Sequence, residues 1–273
     1  MGDWDGGAYE DGLALDEGSL VLSASSLATF HRCGLQWEFA YVKRVKRPPT
    51  IKQQLGIASH SAYEQDMLVK LTTGENAPED VVLDVFNEEY EEARKAGFLM
   101  LKDPEDEEDP IKAKDQQILV IQKQHREIAP LIVPVLVEEP FLYTINGHPY
   151  SGTLDLFDAE GKLRDWKNVA KKPGKEDGYG LGMVGYAIGY RHLTGLIERE
   201  VQIDFLVRYK KQAPGYFPVT SGGPVSDEAI SSFASVVERA YDAIMAGKFV
   251  ANGLQNNACS WCGFRDICPA LRR

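Results

Sequence analysis

The stretch "YSGTLDLFDAEGKLRDWKNVAKK", residues 150–172, decides how this chain reads. "TLDLF" alternates around Leu154 and Leu156, as a half-buried strand does. "DAEG" is a turn in which Gly161 can take a positive φ, and "KLRDWKNV" resumes as a strand. A three-residue hairpin loop at Ala159–Gly161 sets Asp155 directly opposite Asp165. Side chains alternate along a strand, so Asp165 and Lys167 share that face. Two opposed carboxylates cost a hairpin a few tenths to ~1 kcal/mol. The placement makes sense when a divalent cation sits between them, and hard oxygen ligands suit Mg²⁺ or Mn²⁺. The alternative is a solvent-facing hairpin with scattered charges.

The second signal lies at the end of the chain, in "ACSWCGFRDIC", residues 258–268. Three of the four cysteines, Cys259, Cys262 and Cys268, stand here, and the fourth, Cys33, lies far upstream. Three thiolates do not close a tetrahedral or cubane site, so a common centre requires Cys33. Zinc favours paired C-x2-C knuckles, whereas a distant cysteine plus a terminal triplet suits an iron–sulfur cluster, and Pro269 after Cys268 matches the Cys-Pro ending of ferredoxin-type runs. Zinc in the same ligands and four unrelated free thiols are the alternatives.

The formal net charge is −11, which argues against a protein that holds nucleic acid by bulk positive charge. It leaves room for an enzyme that meets phosphate through metal ions and a local basic groove. The basic residues cluster in "VKRVKRPP" (42–49), "KNVAKKPGK" (167–175) and "VRYKKQ" (207–212). The acidic ones gather in "KDPEDEEDP" (102–110). No apolar run approaches the ~20 residues of a membrane span. "MGDWDGGAYEDG" lacks the features of a signal peptide and reads as an acidic tail over 1–21, so the expected location is the cytoplasm and no membrane partner is expected.

A strand carrying an Asp, a tight turn and a strand ending in Asp-x-Lys resemble the PD-(D/E)XK nuclease signature. The sequence is similar to the RecB/AddB-like iron–sulfur branch of that superfamily, in particular the CRISPR-associated iron–sulfur exonucleases and their phage relatives. Five stations occur in the family's order: "LSASSLATFHRCGLQWEFAYV" with Cys33, "LGIASHSAYE" with His60, "GTLDLF" with Asp155, "RDWK" with Asp165 and Lys167, and the cysteine triplet. Read alone, His60 is an ordinary helical histidine. The resemblance implies that it faces the active site and ligates metal together with Asp155, Asp165 and the Trp166 carbonyl. It also implies Lys167 as a catalytic residue, Tyr186 on the helix after the third motif as a catalytic-site residue that holds the strand, and a four-iron four-sulfur cluster on Cys33, Cys259, Cys262 and Cys268. That helix usually carries Gln-x3-Tyr, but here Gly182 stands at the Gln position, in a run rich in glycine. Each interior glycine costs ~1 kcal/mol relative to alanine, which suggests close approach to another backbone or to DNA.

The expected fold is α/β, a restriction-endonuclease-like core with a central mixed sheet flanked by helices. It carries a helical insertion (61–132) and a C-terminal iron–sulfur staple (250–273) packed on the first helix, all in one domain over 22–273. Helices are expected at 24–45, 56–72, 78–97, 111–132 and 226–247. Strands are expected at 135–147, 150–157, 162–169 and 201–209, with an edge strand at 216–220. The expected function is a metal-dependent DNA exonuclease of DNA recombination and repair or phage DNA processing, with a recombinase or another DNA-processing protein as a further partner. Lys43, Lys171, Lys172, Lys210 and Lys211 are the expected DNA contacts. The rival reading is a nuclease-like protein of weak or no activity that binds DNA ends or serves as an assembly partner.

Overall fold

The computed structural model describes residues 20–101, 108–174 and 180–271. Most of the acidic tail, part of the acidic loop and Gly178 lie outside the described residues. The chain divides into two compact units. The first is built from Met1–Lys46, Leu142–Ser151 and Ala234–Arg273, and the second from Arg47–Phe141 and Gly152–Phe233.

The second unit contains α3 (Ile51–Thr73), α4 (Glu79–Ala96), α5 (Pro110–Lys123), β4 (Lys162–Val169), α6 (Gly180–Thr194), β5 (Glu200–Val207) and β6 (Gly215–Thr220). It also holds most of β2 (Pro134–Ile145) and of β3 (His148–Asp158), which form a hairpin across Asn146 and Gly147. Both turn residues have positive φ, 50° and 81°, as the favoured two-residue hairpin turn requires. The β3–β4 pairing is antiparallel, with Leu156 opposite Arg164 and Phe157 opposite Leu163. This is the register read from the sequence, and carried one pair further it sets Asp155 against Asp165. Gly161 closes the turn at φ +82°, and Asp158 Oδ1 accepts the Glu160 and Lys162 N–H groups at 3.0 Å each. β4 then pairs in parallel with β5 from Lys162↔Glu200 to Val169↔Val207, and β5 pairs antiparallel with β6. The result is a mixed sheet.

Helix α3 starts at a capping box, in which Thr50 N–H donates to Gln53 Oε1 (2.9 Å) and Gln53 N–H to Thr50 Oγ1 (3.3 Å). It stops at Gly74, whose φ of +82° is the left-handed conformation of a helix C-terminus. Its buried apolar positions, including Leu55, Ala58, Ala62 and Met67, recur at helical spacing. With Val82, Phe86 and Tyr90 of α4 and Val120 and Ile121 of α5 they form one core that also takes in Leu156, Trp166 and Leu206 of the sheet. The helical segment therefore covers one sheet face. On that face Arg164 is buried between Asp158 (Nε–Oδ2, 2.6 Å) and Asp204 (Nη1–Oδ2, 3.0 Å). α6 packs on the sheet through Tyr190, whose ring stacks on Phe157 at 4.2 Å. One of its glycines, Gly189, has a local cause. A Cβ on Gly189 would lie 2.6 Å from the Phe141 ring, and one on Gly152 would also lie 2.6 Å from it. The close approach expected for this helix is therefore made to the Phe141 side chain.

The first unit holds β1 (Leu22–Ser23), α1 (Ala24–Arg32), α2 (Gly34–Trp37) and α7 (Asp227–Met245), the last from Ala234 onward. β1 pairs in parallel with the start of β3, Leu22 opposite Tyr150. The single helix expected over 24–45 is broken. Cys33 is extended (φ −165°, ψ 113°) between α1 and α2, and after α2 the chain winds wider, with Lys43 N–H donating to Glu38 O at 2.8 Å. The C-terminal segment supplies the cause of the break. Leu35 N–H donates to Val250 O (3.2 Å), Gly34 N–H to Asn252 Oδ1 (3.1 Å), and the Asn252 and Asn256 amides donate to the carbonyls of His31 (3.0 Å) and Arg32 (2.8 Å). Only glycine fits at 34, because a Cβ there would stand 2.8 Å from Val250 N.

Candidate active site and cysteine cavity

β3 and β4 bring Asp155, Asp165 and Lys167 together. Lys167 Nζ lies 2.6 Å from Asp165 Oδ1, and the Trp166 N–H donates to Asp155 Oδ2 (3.2 Å). α3 delivers His60, with Nδ1 3.4 Å from Asp155 Oδ2 and a hydrogen bond to the Trp166 backbone. The helix is aimed by polar contacts one turn on. Tyr63 OH donates to Asn168 Oδ1 (3.0 Å), and Gln117 Nε2 donates to the same oxygen (2.8 Å) and to Ser59 Oγ (2.9 Å). Tyr63 also packs its ring against Trp166 at 5.3 Å.

Burial dominates the electrostatics. It pushes Asp165 up to about 6, with Lys167 opposing and Asp155 reinforcing the shift. Asp155 is raised for the same reason. His60 is lowered by burial and by the Lys167 ammonium, so the neutral imidazole is favoured. The sequence reading missed two further carboxyls. Glu138 is pushed up to about 8 by burial and by Asp155, Glu64 and Asp165. Glu64 is raised by burial and by Glu89. Glu64 stands one helical turn after His60, so the i, i+4 spacing was a usable signal. Glu138 belongs to "VEEPF", an acidic pair inside a strand, and its φ of +47° is strained for a non-glycine residue. Burial alternates along β2 at Phe141, Tyr143 and Ile145 and loses that phase at Glu138 and Glu139.

A cluster of carboxyls this costly to ionise fits a hard divalent cation. Among the described residues no group of three His, Cys, Asp or Glu side chains stands in metal-holding geometry. The donors are engaged with one another instead, Lys167 on Asp165 and His60 on Asp155.

Tyr186 lies on α6 with its ring edge-on to Phe141 at 6.1 Å. Of the expected DNA contacts, Lys43 pairs with Glu38 (3.1 Å) and belongs to the first unit. Lys171, Lys172, Lys210 and Lys211 belong to the second. Lys172 sits over the Phe217 ring at 4.6 Å, and the Lys210 carbonyl accepts from Gln116.

In the first unit all four cysteines line one cavity, together with Phe39, Gly253 and Phe264. All four are free thiols. Burial raises Cys259, and Cys33 and Cys268 add to the shift; Cys262 is raised by burial and by its three fellow thiols. Gly253 leaves room beside them, since a Cβ there would lie 3.3 Å from Cys259 Sγ and 3.4 Å from Cys33 Cβ. The four thiols thus share one cavity, but among the described residues they do not stand in metal-holding geometry.

The family model of the PD-(D/E)XK nuclease superfamily matches residues 21–269. Among solved structures, a candidate exonuclease from Eubacterium rectale superposes with a TM-score of 0.57 at 15% identity, over 92% of this chain and 87% of that one. A second structure, SSO0001, aligns over 91% of this chain and 96% of that one, with 14% identity and a TM-score of 0.36. No curated protein matches the chain.

Proposed function

The chain belongs to the PD-(D/E)XK nuclease superfamily, and we propose that it is a divalent-metal-dependent DNA exonuclease. The observation that carries this reading is the hairpin register, which sets Asp155 beside Asp165 and Lys167 while α3 brings His60 within 3.4 Å of Asp155. Asp155, Asp165, His60 and the Trp166 carbonyl would hold Mg²⁺ or Mn²⁺, with Glu138 and Glu64 as further carboxylates. When bound, such a cation supplies Lewis acidity and lowers the pKa of water. The Lys167 ammonium, held by Asp165, is the group that steadies negative charge developing on a phosphate. His60, favoured as the neutral imidazole, is in the state that can donate a lone pair. The resemblance of the whole chain to a candidate exonuclease supports attack at DNA ends.

The four cysteines are the ligands we assign to a four-iron four-sulfur cluster. Its role is structural, fastening the C-terminal segment to the first helix, and the side-chain bonds of Asn252 and Asn256 to α1 support that role. Iron and sulfide content, with a visible absorption band bleached by dithionite, test the cluster against zinc.

The activity is tested on linear and closed circular DNA, single- and double-stranded, with Mn²⁺ or with EDTA. Mn²⁺-dependent digestion of linear DNA only is the expected result. Binding without digestion would give preference to the end-binding reading, for which Gly182 at the family's Gln position is the supporting observation.

A further inference from the structure

We propose that the cysteine-bearing unit carries its own nucleic-acid contact, a stacking platform for single-stranded DNA made by Trp261, with Arg32 over one side of its ring and Arg265 on the same segment. This rests on the reading of the chain as a DNA-processing protein. Trp261 sits between Cys259 and Cys262 and is 49% exposed, whereas Trp37 and Trp166 are 0% and 2% exposed. A tryptophan ring left this open is unusual for a residue that normally buries most of its area. The Arg32 guanidinium carbon lies over the Trp261 ring, 4.9 Å from its centroid, so a cation covers one face and a base would stack on the other. Arg265 follows on the same short segment, is exposed, and lines the cysteine cavity. Among the described residues no salt bridge engages Arg32 or Arg265.

The platform is held in advance. The Asn256 amide donates to the Arg32 carbonyl at 2.8 Å and the Asn252 amide to the His31 carbonyl at 3.0 Å, so the backbone beneath Arg32 is fixed from the C-terminal segment. Trp261 lies on the segment whose Cys259 and Cys262 line the cavity. Backbone held before binding loses little entropy when a partner arrives.

Local chemistry selects the partner. The whole chain has 30 basic and 41 acidic residues, and this unit over its full extent has nine basic and ten acidic ones, so bulk charge does not draw nucleic acid to it. The cations that count are those near the one exposed tryptophan among the described residues, Arg32 over its ring and Arg265 four residues on. Phosphates meet the arginines, and the π-face takes a base of any sequence, which is how single strands are held without sequence preference. Paired bases are stacked on one another and offer no free face, so an unpaired strand is the better fit.

The test uses the full-length protein with Ca²⁺ replacing Mg²⁺, and fluorescein-labelled oligo(dT) of about 15 nucleotides read by anisotropy. Trp261→Ala is expected to weaken affinity about tenfold or more, while Trp261→Phe keeps most of it. Arg32→Gln and Arg265→Gln are each expected to weaken binding and flatten its salt dependence by about 0.7 per lost phosphate contact. Wild-type affinity in Trp261→Ala and Arg32→Gln overturns the inference, and if the wild-type chain digests DNA the nuclease reading stands without it. Equal losses in Trp261→Ala and Trp261→Phe, with lowered melting temperature, also overturn it, because they report folding and not stacking. A wild-type chain that neither binds oligo(dT) nor digests DNA overturns both.

Discussion

Asp155, Asp165 and Lys167 come from a single hairpin, whereas Cys33 and the other three cysteines come from distant parts of the sequence. The carboxylates are brought together by backbone register, and the sheet holds that register whatever the side chains do. The thiols meet because the C-terminal segment bonds to the break between α1 and α2. One region is local and electrostatically costly, the other non-local and entropically costly. Substitutions in the first should change chemistry and leave the fold, and substitutions in the second should change the fold's stability first.

The largest effect is expected at the cysteines. Cys33→Ser removes the one ligand of the proposed cluster that lies outside the C-terminal segment. By analogy with a long-loop disulfide it should cost up to about 5 kcal/mol, read as a lower melting temperature with loss of bound iron. Unchanged stability with iron absent would break the comparison. Lys167→Ala should lower the cleavage rate about 10²- to 10³-fold while the melting temperature and iron content stay at wild-type values. A variant that melts early would place Lys167 among the structural residues.

The carboxylates predict a pH dependence. Asp165 and Glu138 are raised to about 6 and about 8, so each favours the folded state fully below about pH 4 and loses that contribution as pH rises through its own raised value. In EDTA the protein should therefore melt lower at pH 8 than at pH 5. Asp165→Asn should recover at pH 8 roughly 1 to 3 kcal/mol of the loss, and Mn²⁺ should raise the wild-type melting temperature at that pH. A melting temperature that climbs from pH 5 to 8 in EDTA would contradict the assignment of these shifts. The smallest effect is expected at Gly189. An added Cβ would meet the Phe141 ring at 2.6 Å, so Gly189→Ala should cost about 1 to 3 kcal/mol despite the better helix propensity of alanine. A stabilised variant would show that the contact yields easily.

Much of this was legible in the sequence where chemistry is local. The hairpin register followed from loop length and alternation, and the bounds of β4 agree with those read from "KLRDWKNV". His60 depended on the family resemblance, because periodicity alone cannot tell a ligand from an ordinary helical histidine. Glu138 was missed because strand patterns treat an acidic pair as exposed, whereas here the alternation of β2 breaks at Glu138, where φ is positive, and the other carboxyls act on it. The break at Cys33 was missed because it is imposed by Val250 and Asn252, far along the chain, and α1 and α2 read as one helix by propensity. The glycines of α6 signalled close approach, which holds at Gly189 against Phe141 and not at Gly180.

The central claim is that Asp155, Asp165 and Lys167 form a metal-dependent site for phosphodiester hydrolysis. The most direct test measures nucleotide release from linear DNA with Mn²⁺ by the wild-type chain and by Asp165→Asn, with circular dichroism to verify that both are folded. The expected result is release by the wild type that stops on adding EDTA, and none above background by Asp165→Asn. Release by Asp165→Asn at the wild-type rate would place the chemistry elsewhere in the molecule.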